Sequence, residues 1–214
     1  MILYHFTTSP FARRVRLALA LKGLTAELRD ARADPTHLAE VRRLNPLHTV
    51  PVLIDGERVL SDSSAICHYL DRKFPTPPLW PAGLAGAEAF EFTALADGAI
   101  NILIDLGLRC AKLHSDPHFP AVREELVARA QRALQKLAER VAGKGLSSGP
   151  LCGGQWSAAD IALYTMVAWL ETMPSRAATF APARTMLALG WTLPAELSAW
   201  ADQHRGRADI AELG

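Results

Sequence analysis

A cluster of helix breakers divides this chain into two stretches written in different patterns. Pro75, Pro77, Pro78 and Pro81, with Gly83 and Gly86 close behind, have the composition of a linker. Before the cluster, short apolar runs alternate with helical stretches; after it the pattern is helical throughout. At roughly 100 to 200 residues per domain, 214 residues divided in this way read as two domains, over 1–77 and 87–214, joined by a linker over 78–86.

The first half reads as α/β. Residues 2–6 form a compact strand candidate. Ser9-Pro10 opens a helix, with Ser as N-cap and Pro at the first helical position, and Gly23 stops it after Lys22. Residues 26–29 read as a second strand, and 38–44 as a short helix ended by Asn45-Pro46. Strand, helix, strand is a βαβ unit, right-handed by default. Val52-Leu53-Ile54, Asp55-Gly56 and Arg58-Val59-Leu60 give a hairpin signal, because Asp-Gly tolerates the positive φ of a tight turn. A helix over 61–74, with Ala65, Ile66, Tyr69 and Leu70 at helical spacing, closes this half.

In the second half, 87–113 is apolar nearly all round, as suits a helix buried among neighbours. Residues 122–141, 157–172 and 193–204 give further helices, with a loop over 143–154. The expected fold is therefore a small βαβαββα domain followed by an all-α helical domain.

Composition excludes several function classes. Hydrophobic residues make up 50% and charged residues 21% of the chain, enough for a packed core. Lys and Arg number 23 against 22 Asp and Glu, so no basic field is present for nucleic acid. No apolar run approaches the roughly 20 residues of a membrane span. The first residues lack the basic start and cleavage site of a secretory signal, so the expected location is cytoplasmic. Cys67, Cys110 and Cys152 are widely spaced and suggest neither disulfides nor zinc. His114 and His118 are separated by Asp116-Pro117, which breaks the helix that would aim both at one metal, so no metal site is expected.

Three segments bear chemistry if they converge. Thr7-Thr8-Ser9-Pro10-Phe11 lies at a strand-to-helix junction, where the Ser9 hydroxyl and first-turn amides suit an anion. Val50-Pro51 precedes a strand; a cis bond there would turn the Val50 backbone outward, towards an extended peptide ligand. Asp62-Ser63 opens the next helix, offering a carboxylate to an ammonium group and a hydroxyl with helix amides to a carboxylate, the pair that an α-amino acid head group requires. Each segment also has a purely structural reading: Ser9, Asp62 and Ser63 as caps, Pro51 as a loop stiffener.

The order of these segments resembles that of a cytosolic glutathione S-transferase over essentially the whole chain. Ser9-Pro10-Phe11-Ala12-Arg13-Arg14-Val15-Arg16 stands where serine- and cysteine-type members carry the active residue. Residues 45–53, with Val50-Pro51, are similar to the family's cis-proline segment, residues 60–66 to its acidic and Ser glutathione motif, and Ser157-Ala158-Ala159-Asp160 to the capping box of a core helix. The match is to bacterial members of the serine type.

The resemblance implies a thioredoxin-like N-terminal domain and glutathione as co-substrate, with no metal. It implies that the Ser9 hydroxyl donates to the glutathione sulfur, that Val50 pairs with the cysteinyl backbone, that Asp62 and Ser63 hold the γ-glutamyl group, and that Phe11 and Pro51 are also glutathione-binding. Similar bacterial members often carry Lys at position 49; here Thr49 stands there, with His48 as an alternative contact for the glycyl carboxylate. Thr7 and Thr8 are rival hydroxyl donors. A thiol of pKa about 8.5 is only a few per cent thiolate at neutral pH, and lowering that value by about 2 stabilises the anion by about 2.7 kcal/mol. The implied reaction is thiolate attack on a hydrophobic electrophile lodged between the domains of a homodimer. Glutathione-dependent isomerisation or ether cleavage uses the same site, and a non-catalytic binding or regulatory protein uses the same fold.

Overall fold

The computed structural model describes residues 1–109, 113, 116, 118–145 and 149–207; Cys110 and His114 lie outside them. Four strands, β1 (Ile2–His5), β2 (Glu27–Asp30), β3 (Val52–Asp55) and β4 (Arg58–Ser61), form one sheet in the order β2-β1-β3-β4. β1 runs parallel to β2 and antiparallel to β3, and β3 pairs antiparallel with β4. The mixed sheet is thioredoxin-like, as the sequence indicates.

Helix α1 (Pro10–Leu21) makes the crossover from β1 to β2. Ser9 caps its start, and its end is a Schellman motif: Gly23, at φ 63°, lets Leu24 N–H reach Leu19 carbonyl at 2.9 Å while Gly23 N–H reaches Ala20 carbonyl at 3.0 Å. α2 (Pro35–Leu44) begins three residues earlier than its apolar pattern, because the Asp34 carboxylate accepts from Thr36 N–H at 2.8 Å and Pro35 occupies the first turn. The hairpin turn lies one residue beyond Asp55-Gly56. Asp55 pairs with Arg58, leaving Gly56 and Glu57 to turn, and Tyr69 Oη and Lys73 Nζ donate to its carboxylate at 2.8 and 2.5 Å. α3 (Ser63–Lys73) starts later than the pattern indicates, because Ser61 is still paired with Val52 in the sheet.

The sheet buries both faces. Tyr4, Val50 and Val52 meet Val41 of α2 on one side. Leu3 and Leu53 meet α1 and α3 on the other, in a core that continues without a break into the helical half. There α4 (Leu84–Ile104) runs into a π-helical turn (Asp105–Arg109), followed by α5 (Phe119–Gly143), α6 (Ala158–Glu171), α7 (Met173–Arg176), α8 (Ala181–Leu187) and α9 (Ala195–His204). α7 and α8 have no counterpart in the sequence reading; each is short, and each has Pro in its first turn. α6 is central: Ala158 to Leu170 is buried throughout, and it contacts α1, α4 and α9. Its capping box is present, with Asp160 accepting from Ser157 N–H at 2.8 Å and from Leu151 N–H at 2.7 Å.

The Pro-rich segment is stitched down rather than free. Leu79 is buried, its N–H donates to Asp71 at 2.6 Å, and its carbonyl accepts from Ala158 N–H at 2.7 Å. Lys22 Nζ donates to Asp71 at 2.8 Å and to the carbonyls of Phe74 and Pro77, each at 2.7 Å. α4 begins at Leu84, so the end of this segment is already helical.

Candidate functional site

The carboxyl end of β1 and the N-terminus of α1 open onto a cleft of about 640 Å³ between the sheet domain and the helical domain. Ser9, Phe11, His48, Thr49, Val50, Pro51, Asp62 and Ser63 all line it, as does Thr8. Thr7 does not; its hydroxyl donates to Asp30 at 2.8 Å. The opposite wall comes from the helical half: Asn101 and Ile104 of α4, Leu108 of the π turn, Trp169 of α6, and Arg176 and Phe180 beyond it.

Ser9 Oγ accepts from Ala12 N–H at 3.2 Å, which is the N-cap bond. A hydroxyl that accepts still has its own proton to donate, so capping and contact with an anion are compatible. Pro10 has no N–H, Ala12 N–H is capped, and Arg13 N–H donates to Ser9 carbonyl at 2.9 Å. The first-turn donor left over is Phe11 N–H, beside Ser9 at the positive end of the helix dipole.

The Val50-Pro51 peptide bond is cis. The N–H and carbonyl of Val50 take no partner among the described residues, so an extended ligand can pair with them. Asn45 Nδ2 donates to the Thr49 carbonyl at 2.8 Å and its hydroxyl at 3.1 Å, which fixes the loop before Val50. At the cleft's other end, Asp62 has φ 74°, and its Oδ1 accepts from Ser64 and Ala65 N–H, each at 2.9 Å. Its Oδ2 is thereby left for a cation.

The two halves each match a family pattern: residues 3–78 match "Glutathione S-transferase, N-terminal domain" and residues 120–202 match "Glutathione S-transferase, C-terminal domain". The chain is 35% identical over 180 residues to the probable glutathione S-transferase GSTU1 of Oryza sativa subsp. indica, covering 79% of this chain and 73% of that protein. The chain belongs to the glutathione S-transferase family. A second relative is the probable maleylacetoacetate isomerase of Vibrio cholerae, 45% identical over 100 residues; the match covers 45% of this chain and 46% of that protein, less than half its length. Among solved structures it resembles the glutathione S-transferase of Methylobacillus flagellatus with GSH bound, at TM-score 0.75 and 25% identity, over 99% of this chain and 98% of that one.

One residue beside the cleft escapes sequence reasoning. Arg14 is buried on α1; its Nη1 donates to Ser63 Oγ at 3.2 Å, to Ser64 Oγ at 3.0 Å and to Asp97 Oδ2 at 3.1 Å. Burial opposes its charge most, but the charge and hydrogen bonding of Asp97, with smaller help from Cys67 and Asp62, together raise its pKa. The available signal was its position in the stripe Pro10, Arg14, Ala18, where an arginine interrupts an otherwise apolar helix face. The chain's own thiols are unsuited to chemistry. Cys67 and Cys152 are buried, and burial pushes both up to about 12. Among the described residues, no group of three His, Cys, Asp or Glu side chains is placed to hold a metal, and no helix is long and apolar enough to cross a membrane.

Proposed function

We propose that this chain is a glutathione-dependent enzyme, with residues 1–77 binding the tripeptide, 78–86 connecting, and 87–214 supplying the co-substrate wall. The observation that carries the reading is the convergence of Ser9, Val50, Asp62 and Ser63 on one cleft. The γ-glutamyl ammonium group meets Asp62 Oδ2 and its carboxylate meets Ser63 and the α3 amides. The cysteinyl backbone pairs with Val50, and the glycyl carboxylate lies near His48 and Thr49. The sulfur then lies at the N-terminus of α1, where the Ser9 hydroxyl and Phe11 N–H stabilise a thiolate. A charge-assisted hydrogen bond is worth about 1.5 to 3 kcal/mol, sufficient for the required lowering of the thiol pKa.

In conjugation the thiolate forms a C–S bond to an electrophile against Ile104, Trp169 and Phe180, the leaving group departs with its electron pair, and the thiol proton passes to water. In the second reading, which the Vibrio cholerae relative favours, the thiolate adds to a carbon-carbon double bond and is expelled after rotation, so glutathione is not consumed. Both use the same site, in a cytoplasmic homodimer.

The test is a glutathione titration of wild type and Ser9→Ala, following thiolate absorbance near neutral pH, with glutathione consumption measured during turnover. Wild type is expected to bind and ionise the tripeptide. A wild type that binds no glutathione overturns the reading, and consumption or conservation of glutathione separates conjugation from isomerisation.

A further inference from the structure

We infer that Arg16, buried behind the turn that carries Ser9, is a positioning residue: it braces that turn and lends an unneutralised positive charge to the glutathione thiolate. The inference rests on the glutathione reading above and adds to it a side chain outside the cleft wall.

Ser9, Arg13 and Arg16 are spaced by four and then three residues, so they share one face of α1 and its cap. Helical side chains lean towards the N-terminus, which carries the Arg16 guanidinium back up the helix. There its Nη2 donates to the Thr7 carbonyl at 3.2 Å. The same turn is closed by Ser9 N–H, which donates to the Phe6 carbonyl at 3.0 Å. Arg16 thus holds the strand-to-helix junction from the core side, while Ser9 lines the cleft.

Arg16 is 8% exposed, and neither it nor Arg13 makes a salt bridge among the described residues. A buried cation without a counter-ion is costly, and a fold retains one where an anion offsets the cost. The charged and titratable groups that face Arg16 are Arg13 on its own helix, His5 on β1 and Asp30 at the end of β2. Arg13 leans away over the Tyr164 ring of α6, its Cζ 5.7 Å from the centroid. Asp30 is engaged elsewhere, accepting from Arg32 N–H at 2.7 Å and from Thr7 Oγ1 at 2.8 Å. Burial first, and then the Arg13 charge, lower the pKa of Arg16, and Asp30 offsets them only in part. Positive potential is therefore left at the start of α1, where it adds to the helix dipole.

Two turns of helix put the Arg16 Cα about 10 Å below Ser9, and the side chain recovers roughly half of that distance. Its guanidinium then lies within about 10 Å of a sulfur held by the Ser9 hydroxyl and Phe11 N–H. At that separation, with an effective dielectric constant of about 20, a unit charge changes the acid dissociation constant of a thiol on the order of tenfold. Arg32, His48, Asp62, Asp97 and Arg176 are the charged or titratable groups on the cleft wall itself. Of the carboxylates, Asp62 accepts from α3 amides and Asp97 is paired with Arg14.

The probes are glutathione and S-methylglutathione, which keeps the tripeptide but has no thiol to ionise. Thiolate absorbance of bound glutathione is followed against pH in wild type, Arg16→Gln and Arg16→Lys, and S-methylglutathione is titrated calorimetrically into each. Gln and Lys can both donate to the Thr7 carbonyl, so the two variants differ chiefly in charge. Arg16→Gln is expected to lower the acid dissociation constant of the bound thiol on the order of tenfold, with S-methylglutathione affinity within about twofold of wild type. Arg16→Lys retains most of the wild-type dissociation constant. An unmoved thiol in Arg16→Gln overturns the inference. An equal change in the Gln and Lys variants also overturns it, leaving the guanidinium as a brace alone. So does a parallel loss of S-methylglutathione affinity, the signature of a distorted turn. Near-UV circular dichroism checks folding, and if Arg16→Gln does not fold, Asp30→Asn carries the test with the opposite sign. Removing that acid strengthens the field, so the dissociation constant is expected to rise about threefold, and no rise overturns the inference. A wild type that binds neither ligand overturns the glutathione reading and this inference with it, whereas normal binding with unmoved variants overturns this inference alone.

Discussion

Arg14 and Asp97 close a bidentate ion pair across the seam between the sheet domain and the helical domain, with the arginine side chain almost wholly buried and the aspartate a quarter exposed. The same guanidinium holds Ser63 and Ser64 at the start of α3. One contact thus joins the two halves and fixes the end of the cleft assigned to the γ-glutamyl group. Asp97→Ala leaves that cation buried and uncompensated and is expected to cost about 3 kcal/mol in urea unfolding, because removing one partner of a buried pair costs more than the pair contributes. Glutathione affinity should fall in the same variant, measured on the folded fraction by calorimetry. A fully stable Asp97→Ala would show the pair to be incidental.

Ser9 has two separable duties. As a cap, its change to Ala is expected to cost about 1 kcal/mol, and to Gly only a few tenths. As a thiolate donor it is lost equally in both. Thiolate absorbance of bound glutathione should therefore drop alike in Ser9→Ala and Ser9→Gly, while denaturant midpoints differ. Undiminished ionisation in the Gly variant would leave Ser9 as a cap alone.

His5 and His204 are both buried, and burial lowers the pKa of each, aided by Arg16 for His5 and by Arg207 for His204. A lowered imidazole pKa means that the unfolded chain binds more protons between the folded value and the ordinary 6.5. Stability is full above that range and is lost as pH falls through it. Urea midpoints should drop between about pH 7.5 and about pH 5.5, and His5→Asn with His204→Gln should flatten the drop. An equal acid loss in that variant would place its origin elsewhere.

Lys22 offers a further test. With Asp71 and the carbonyls of Phe74 and Pro77 as partners, its buried ammonium satisfies three half-buried acceptors. Lys22→Met keeps the apolar stem but takes the donor from both carbonyls and leaves Asp71 only its backbone donors Leu79 and Trp80, and a loss of about 2 kcal/mol is expected by thermal or urea unfolding. Lys22→Arg should not restore stability, because a planar fork does not fit a site shaped around a point charge. A wild-type melting temperature in either variant would refute this.

Much of the fold was legible because its signals are local. Ser9-Pro10, Asp55-Gly56 and Ser157 with Asp160 each act within a few residues, and each lies at an element boundary in the structure. The start of α2 carries a local signal too, since Asp34-Pro35 repeats the cap-then-proline arrangement of Ser9-Pro10, but Pro35 to His37 lacks an apolar stripe. α7 and α8 are too short for helical periodicity to develop, so nothing local in the sequence puts Arg176 and Phe180 on the cleft. Arg14 and Asp97 lie 83 residues apart, and nothing in the spacing of either predicts the other. The candidate site divides in the same way: its sheet-domain side is readable from short motifs, whereas its helical wall is assembled from distant positions.

The hydrogen bonds of Leu79, one to Asp71 and one from Ala158, bear on how the molecule moves. The segment that looks like a tether behaves as a splint, because its backbone is sewn to α3 on one side and to α6 on the other. Opening the cleft by swinging one half away from the other would tear buried amides from their partners with no water to replace them. Traffic through the cleft is therefore left to side chains at its rim, and a chain cut between Pro77 and Gly83 would not yield two self-sufficient modules, since each carries the other's missing acceptors.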